Sequence, residues 1–256
     1  MRRGCQAAPP QMQAYSCRME IRPFGLTVGA DRAAGVCVDS CDRLSAAVAA
    51  LALPEQVPVI VVVGGAAKMS HAHSALVLDA LVSAVAPAAA AAHAVVVDGG
   101  TDSGIMRLTG TARTAVVGAF QLVGVVVERL ALGVGALTGA DAAPLEPQHT
   151  HFVLVPGETW GDEAPWIAAT ASAIARDAPS VTVLANGGEI AWRDVRLSVD
   201  RQRPVVVLTG SGRAADEIGN GKSDRARQLH ASGLIRAVPV GDPPSVADAV
   251  FVALRR

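Results

Sequence analysis

Aromatic side chains are nearly missing from this chain: 3% of its 256 residues, with a single tyrosine. Lysine is almost absent as well, only Lys68 and Lys222 standing among 22 basic residues, and the arginines are scattered instead of gathered into a stripe. Basic residues scattered in this way give no electrostatic grip on a polyanion such as nucleic acid. Charged residues make up only 18% against 51% hydrophobic, with a net charge of -1, which argues against disorder, collagen-like repeats and coiled coils. Cysteine stops early: Cys5, Cys17, Cys37 and Cys41 have no histidine beside them, so neither a converging zinc set nor a disulfide framework is expected. Long apolar runs are lacking too. Val57 to Ala67 ends at Lys68, and Thr114 to Val127 is broken by Gln121 and closed by Glu128. Neither run reaches the roughly 20 residues that a membrane-spanning helix needs. Arg2 and Arg3 are followed by Gln6, Pro9, Pro10, Gln11 and Gln13, where a secretory signal would need an unbroken apolar core. The expected location is the cytoplasm.

What is present is regular. Residues 1–18 read as a disordered extension, with Met12 and Met19 as alternative starts, and 19–256 as one α/β domain whose core begins at 57. The runs Val57–Val63, Ala94–Val97, Gln121–Val127, Thr150–Val155, Ser180–Leu184, Pro204–Leu208 and Leu234–Val238 are apolar nearly throughout, as strands buried on both faces must be. Between them Ser70–Ala86, Ile105–Ala115, Ala164–Arg176, Ile190–Val199 and Ser245–Leu254 carry polar residues on part of their surface only, as covering helices do. This alternation predicts a Rossmann-like, doubly wound and mostly parallel sheet. A strand near Phe24–Val28 and a helix from Asp42 to Leu51 are expected ahead of it, and a long loop over Leu130–Pro147.

The chemistry concentrates where strands end. Gly64-Gly65-Ala66-Ala67, Gly99-Gly100-Thr101-Asp102-Ser103-Gly104 after Asp98, Asn186-Gly187-Gly188, and Gly210-Ser211-Gly212-Arg213 after Thr209 each lead from a strand into a helix. In a parallel sheet all these turns share one rim, and glycine there lets a ligand approach main-chain N–H groups at a helix start. The candidate phosphate-binding set is therefore Gly64, Gly65, Gly99, Gly100, Thr101, Ser103, Gly104, Asn186, Gly187, Gly188, Gly210, Ser211, Gly212 and Arg213. None of the turns ends in the Gly-Lys-Ser/Thr of a nucleoside triphosphate loop. Arg213 adds a separate signal. A cation beside a helix N-terminus opposes the dipole by about 0.3–1 kcal/mol, a conflict that a bound anion removes. The alternative is an ion pair to Asp216 or Glu217.

These motifs, with Pro147-Gln148-His149-Thr150-His151-Phe152-Val153-Leu154-Val155 between them, carry a resemblance. From Val57 to Gly219 their order and spacing resemble the prokaryotic relatives of the N-terminal cytoplasmic domain of TRPM channels, the LSDAT group of the SLOG superfamily, the run Gly210 to Asp216 being the most specific part. The resemblance implies a Rossmann-like fold binding a small nucleotide-derived ligand of the ADP-ribose or NAD type, with no further cofactor required. Related phosphoribohydrolases use Pro-Gly-Gly-x-Gly-Thr-x-x-Glu. Here the matching loop reads Asn186-Gly187-Gly188-Glu189-Ile190-Ala191-Trp192-Arg193-Asp194, without the second Gly-Thr or the glutamate. The channel domains also carry basic residues on the helix where this chain has Trp166 to Thr170.

Other residues hold alternatives open. His71 with His73, and His149 with His151, have a spacing that suits a metal pair, but no third ligand matches them, and a structural place is the simpler reading. Glu158, Asp162 and Glu163 could meet a ribose hydroxyl or a water, or merely lead into a helix; Trp160 and Trp166 could stack on a base or pack in the core. Three functions compete: a ligand-binding or sensing module that signals through an effector partner or self-association, a hydrolase or glycosidase using Asp98, Asp102, Glu158 or Glu189 on a nucleotide derivative, and a structural, oligomer-forming protein.

Overall fold

The computed structural model describes residues 21–65, 69–116, 120–132, 134 and 142–255, so the expected N-terminal extension, Cys5 and Cys17 lie outside the described residues. The described chain opens with a hairpin: β1 (Phe24–Val28) turns at Gly29 into the antiparallel β2 (Asp31–Cys37), followed by α1 (Leu44–Ala50). Then comes the repeat: β3 (Val59–Gly64), α2 (His71–Ala80) running through a π-helical turn into α3 (Ala86–Ala91), β4 (Val95–Asp98), α4 (Gly104–Thr114) and β5 (Leu122–Val127). Two short strands, β6 (Ala131–Leu132) and β7 (Ala143–Pro144), form a separate ladder. The second half holds β8 (His151–Val155), α5 (Ala164–Ala175), β9 (Ser180–Ala185), α6 (Glu189–Asp200), β10 (Val205–Thr209), α7 (Arg213–Asn220), α8 (Asp224–His230), β11 (Ile235–Pro239) and α9 (Pro243–Ala253).

The nine-stranded sheet runs β1-β2-β8-β5-β4-β3-β9-β10-β11, parallel except at the hairpin. The chain builds outward from β3 through β4, β5 and β8, then crosses back to lay β9, β10 and β11 on the other side. The strand order therefore reverses between β3 and β9, which is where an open α/β sheet forms its ligand crevice. Alternate residues of β3 feed two cores. Val59, Val61 and Val63 pack with α1, α5, α6, α7 and α8, while Ile60 and Val62 pack with α2, α3, α4 and α9. Each fully buried valine contributes about 1.5 kcal/mol or more, which is why these runs contain almost nothing polar.

Three departures from the sequence reading are informative. β2 was not expected: its Asp-Arg-Ala-Ala-Gly stretch has few β-branched residues, and only pairing to β1 and β8 makes it a strand. α8 was likewise unassigned, although Ser223 caps it by accepting the N–H of Ala226. The helix expected over Ser70–Ala86 continues to Ala91, long and apolar enough by length and composition alone to cross a membrane. Its apolarity has a local cause. Val77, Ala80, Leu81, Ala84 and Val85 are core residues packed on the sheet.

Candidate functional site

At the switch point β3 and β9 approach so closely that small residues are compulsory. A Cβ built on Gly64 would lie 1.9 Å from the carbonyl oxygen of Ala185, and one on Gly65 would lie 2.5 Å from Oδ1 of Asn186. Gly65 N–H donates to Ala185 O (3.1 Å) and Gly65 O accepts from Ile105 N–H (2.9 Å), tying the end of β3 to the start of α4. Asn186 is fully buried. Its amide N–H donates to Ser211 Oγ (2.8 Å) and its Nδ2 to Ser211 O (2.6 Å), while Oδ1 accepts from Gly187 N–H (2.9 Å). Ala214 N–H and Ala215 N–H donate to Gly187 O and Asn186 O. The turns after β9 and β10 are thus welded together, and the side chains of Asn186 and Ser211 are spent inside the protein. What these turns can offer a ligand is main chain.

Four helices leave this rim without a side-chain cap: α4 after Ser103, α5 after Glu163, α6 after Gly188 and α7 after Gly212. By contrast Ser70, Ser223 and Asp242 cap α2, α8 and α9. Without a side-chain cap the positive dipole end of each helix stays open, although Ile105 N–H of α4 and Ala214 and Ala215 N–H of α7 already donate to the carbonyls of Gly65, Gly187 and Asn186. Arg213 stands among them. Its φ of +54° follows +95° at Gly212, placing a bulky residue in the left-handed region at a cost of about 1–2 kcal/mol. Its guanidinium lies over the start of α6, Nη2 being 2.7 Å from where a Cβ on Gly188 would be. Among the described residues no ion pair or hydrogen bond engages this exposed guanidinium. Asp216 accepts the N–H of Gly210 instead (2.6 Å). The His73 ring closes the same corner, with Cε1 2.9 Å from a Cβ on Gly212. The sequence offered His73 only as half of a metal pair.

The Gly99–Gly104 turn sits on the same rim, since β4 and β10 end on one edge of the parallel sheet, but it leans the other way. A Cβ on Gly100 would be 2.8 Å from the Cα of Gly124, Thr101 bridges to Leu145, and Ser103 and Thr101 share a hydroxyl contact (3.1 Å). Beneath this turn lies a cluster that sequence reading missed. His149 Nε2 is 2.7 Å from Asp98 Oδ1 and its Nδ1 is 2.7 Å from Glu146 Oε2, all three residues being buried. Burial disfavours a charged ring, but the Asp98 and Glu146 carboxylates outweigh it and hold the His149 pKa up at about 9.

The acidic segment is engaged locally. Asp162 accepts from the N–H groups of Glu158 and Thr159, Glu158 pairs with Arg129, and Glu163 accepts from Gly161 N–H (2.8 Å). Trp160 and Trp166 pack against the core. Asp194, at the last position of the loop compared above with the hydrolase motif, is 8% exposed; burial and the neighbouring Glu163 charge push its pKa up to about 7 against the pull of Arg193. Trp192 lies beneath Arg225, whose guanidinium carbon is 4.2 Å from the ring centroid. Among the described residues no three potential ligands cluster as a metal site. Among the described residues Cys37 and Cys41 form no disulfide, and the Cys37 thiol donates to Glu128 Oε1 (3.8 Å).

Comparison with known proteins agrees with this architecture. A molybdenum cofactor binding protein from the phototrophic bacterium Rippkaea orientalis superposes with a TM-score of 0.52 at 12% identity, over 77% of this chain and 96% of that one. The molybdenum cofactor carrier protein MCP from Chlamydomonas reinhardtii gives 0.52 at 17% identity, over 78% and 99%. At such identities the likeness is one of fold. No curated protein matches the sequence. The family described as SLOG in TRPM, prokaryote, matches residues 57–248, and its membership supports ligand binding as the general role. That span contains every Gly-rich turn of the rim, Arg213 and the buried His149 cluster, and the chain belongs to this prokaryotic LSDAT family.

Proposed function

We propose that the crevice between the ends of β3 and β9 binds the phosphates of a nucleotide-derived ligand of the ADP-ribose or NAD type, and that the protein is a binding or sensing module. The observation that carries this is Arg213: a guanidinium without a partner among the described residues, held in a left-handed backbone over Gly188, between the uncapped starts of α6 and α7. An anion there would meet main-chain donors, two helix dipoles and a planar fork at once. The reading requires no resident cofactor, places the protein in the cytoplasm beside its ligand, and passes the signal to an effector partner or a second copy.

A hydrolase reading has one observation in its favour. Asp194, with its pKa near 7, has the proton affinity of a general acid or base, and α6 carries it away from the crevice turn. One experiment separates the two. Thermal shift with ADP-ribose, NAD, AMP, cyclic nucleotides and ribose 5-phosphate is followed by chromatography of every stabilising compound. A ligand at 100 times its dissociation constant stabilises by about 2.7 kcal/mol. Stabilisation with the ligand recovered intact supports the binding module; breakdown products support the hydrolase, and no shift with any compound removes the ligand reading.

A further inference from the structure

The Asp98–His149–Glu146 cluster has a proton count that its geometry fixes. Ionised carboxylates only accept, and a neutral imidazole has a single N–H. Two contacts of 2.7 Å, one from each ring nitrogen to a carboxylate oxygen, therefore need one proton more than a neutral ring between two carboxylates supplies. An imidazolium donating in both directions satisfies them. Phe152 stacks on the ring, with centroids 5.4 Å apart. The other charges facing the cluster are Arg107 and Arg113 on α4, both acting on Glu146; beyond them lie Asp31 on β2 and His151 on β8, each acting on Arg113 or acted on by it.

The cluster also has an address. Asp98 Oδ1 accepts from Gly100 N–H (2.7 Å) as well as from the ring, so the imidazolium and the glycine turn are held by one atom. On the other side Glu146 N–H donates to Gly100 O (2.9 Å) and Asp102 N–H to Pro144 O (2.8 Å). The 144–149 segment thus lies along the turn and is pinned to β4 through the ring. Gly110 of α4 leaves the room for this: a Cβ there would lie 2.3 Å from the Glu146 carboxylate. The turn continues into Gly104 and Ile105, whose N–H reaches Gly65 at the switch point.

We infer that His149 is the positioning residue of the Gly99–Gly104 arm of the ligand site: its doubly protonated ring clamps Asp98 to Glu146, and loss of one ring proton loosens the arm and weakens binding. The effect on affinity rests on the ligand reading above; the effect on the arm does not. When the ring is neutral one carboxylate loses its ring donor and keeps only a main-chain one, Gly100 N–H on Asp98 or Gln148 N–H on Glu146, and a buried carboxylate short of a donor draws in water or moves.

The test uses the whole protein at about pH 7.5 and about pH 10, chosen to bracket the loss of the ring proton. Amide hydrogen exchange, expressed as protection over the free-chain rate, is read at Gly100 and Asp102 with β10 as the internal reference, and ADP-ribose affinity is read by calorimetry. At the higher pH protection at Gly100 and Asp102 should fall about tenfold or more while β10 holds, as losing a bond to a charged group implies. ADP-ribose affinity should fall in parallel. His149→Gln should show the loosened arm already at the lower pH. Glu146→Gln should abolish the pH dependence, because the new amide can donate to a neutral ring that still donates to Asp98. Unchanged protection in the wild type at both pH values would overturn the inference, even if His149→Gln does not fold. So would a pH dependence that survives in Glu146→Gln. If ADP-ribose fails to bind the wild type at either pH, the ligand reading falls, and the exchange data alone decide whether the clamp exists.

Discussion

Replacing Arg213 by alanine separates ligand binding from stability. The guanidinium has no internal partner to lose among the described residues: Asp216 is occupied by the Gly210 N–H, and no bridge to Glu217 forms. Removing a cation from the start of α7 relieves an unfavourable dipole contact of about 0.3–1 kcal/mol. The left-handed backbone stays, since alanine suffers there as arginine does. The melting temperature of Arg213→Ala should therefore hold or rise by a few degrees, about 2–4 °C per kcal/mol for a domain of this size. Affinity moves the other way. A charge-assisted contact to phosphate is worth about 1.5–3 kcal/mol, so calorimetric titration with ADP-ribose should show a loss of roughly ten- to a hundredfold. Arg213→Gly should bind as poorly as the alanine variant yet melt higher, because glycine removes the backbone strain of about 1–2 kcal/mol as well. An unchanged affinity with a lowered melting temperature would refute the reasoning, since it would make the arginine a structural residue.

The remaining expectations concern stability. The His149 pKa is raised in the fold to about 9 from 6.5, so its contribution is complete below about pH 6.5 and is lost as pH rises through 9; denaturant titrations should lose about 3 kcal/mol across that window. Asp194 is a carboxyl raised from 3.8 to about 7, so its ionisation also costs stability as pH rises. Asp194→Asn should accordingly stabilise the protein by about 1–3 kcal/mol near pH 8 and much less near pH 4, and equal stability at both values would contradict the burial argument. Gly64→Ala should be strongly destabilising, by about 3 kcal/mol or more, because the new methyl overlaps the Ala185 carbonyl within the β3–β9 pair. A variant melting within a degree of the wild type would show that the two strands can part.

The parallel core was legible because burial on both faces leaves nothing polar in a strand: runs such as Val59–Val63 or Val205–Leu208 admit no other reading. The hairpin was half legible. β1 alternates, but β2 becomes a strand only through its neighbours, and no local pattern carries that information. At the site, spacing located the rim and Arg213, since glycine turns after buried strands end on one edge of a parallel sheet. Spacing could not say that Asn186 and Ser211 turn inward to each other, nor that His149 is flanked by two carboxylates. Asp98 closes β4 and His149 precedes β8, so the two meet only in the assembled sheet. The signal that could have found them was the oddity of a lone aspartate closing an all-valine strand, with a histidine just ahead of another buried strand.

The central claim, a phosphate site at the strand-order reversal, is tested most directly by a crystal structure of the protein with ADP-ribose. The expected result is a diphosphate within about 3 Å of the Arg213 guanidinium and of main-chain N–H groups at the start of α6 or α7, as hydrogen bonding requires. A diphosphate seated away from Gly188 and Arg213, or a crevice left empty at saturating ADP-ribose, would contradict it.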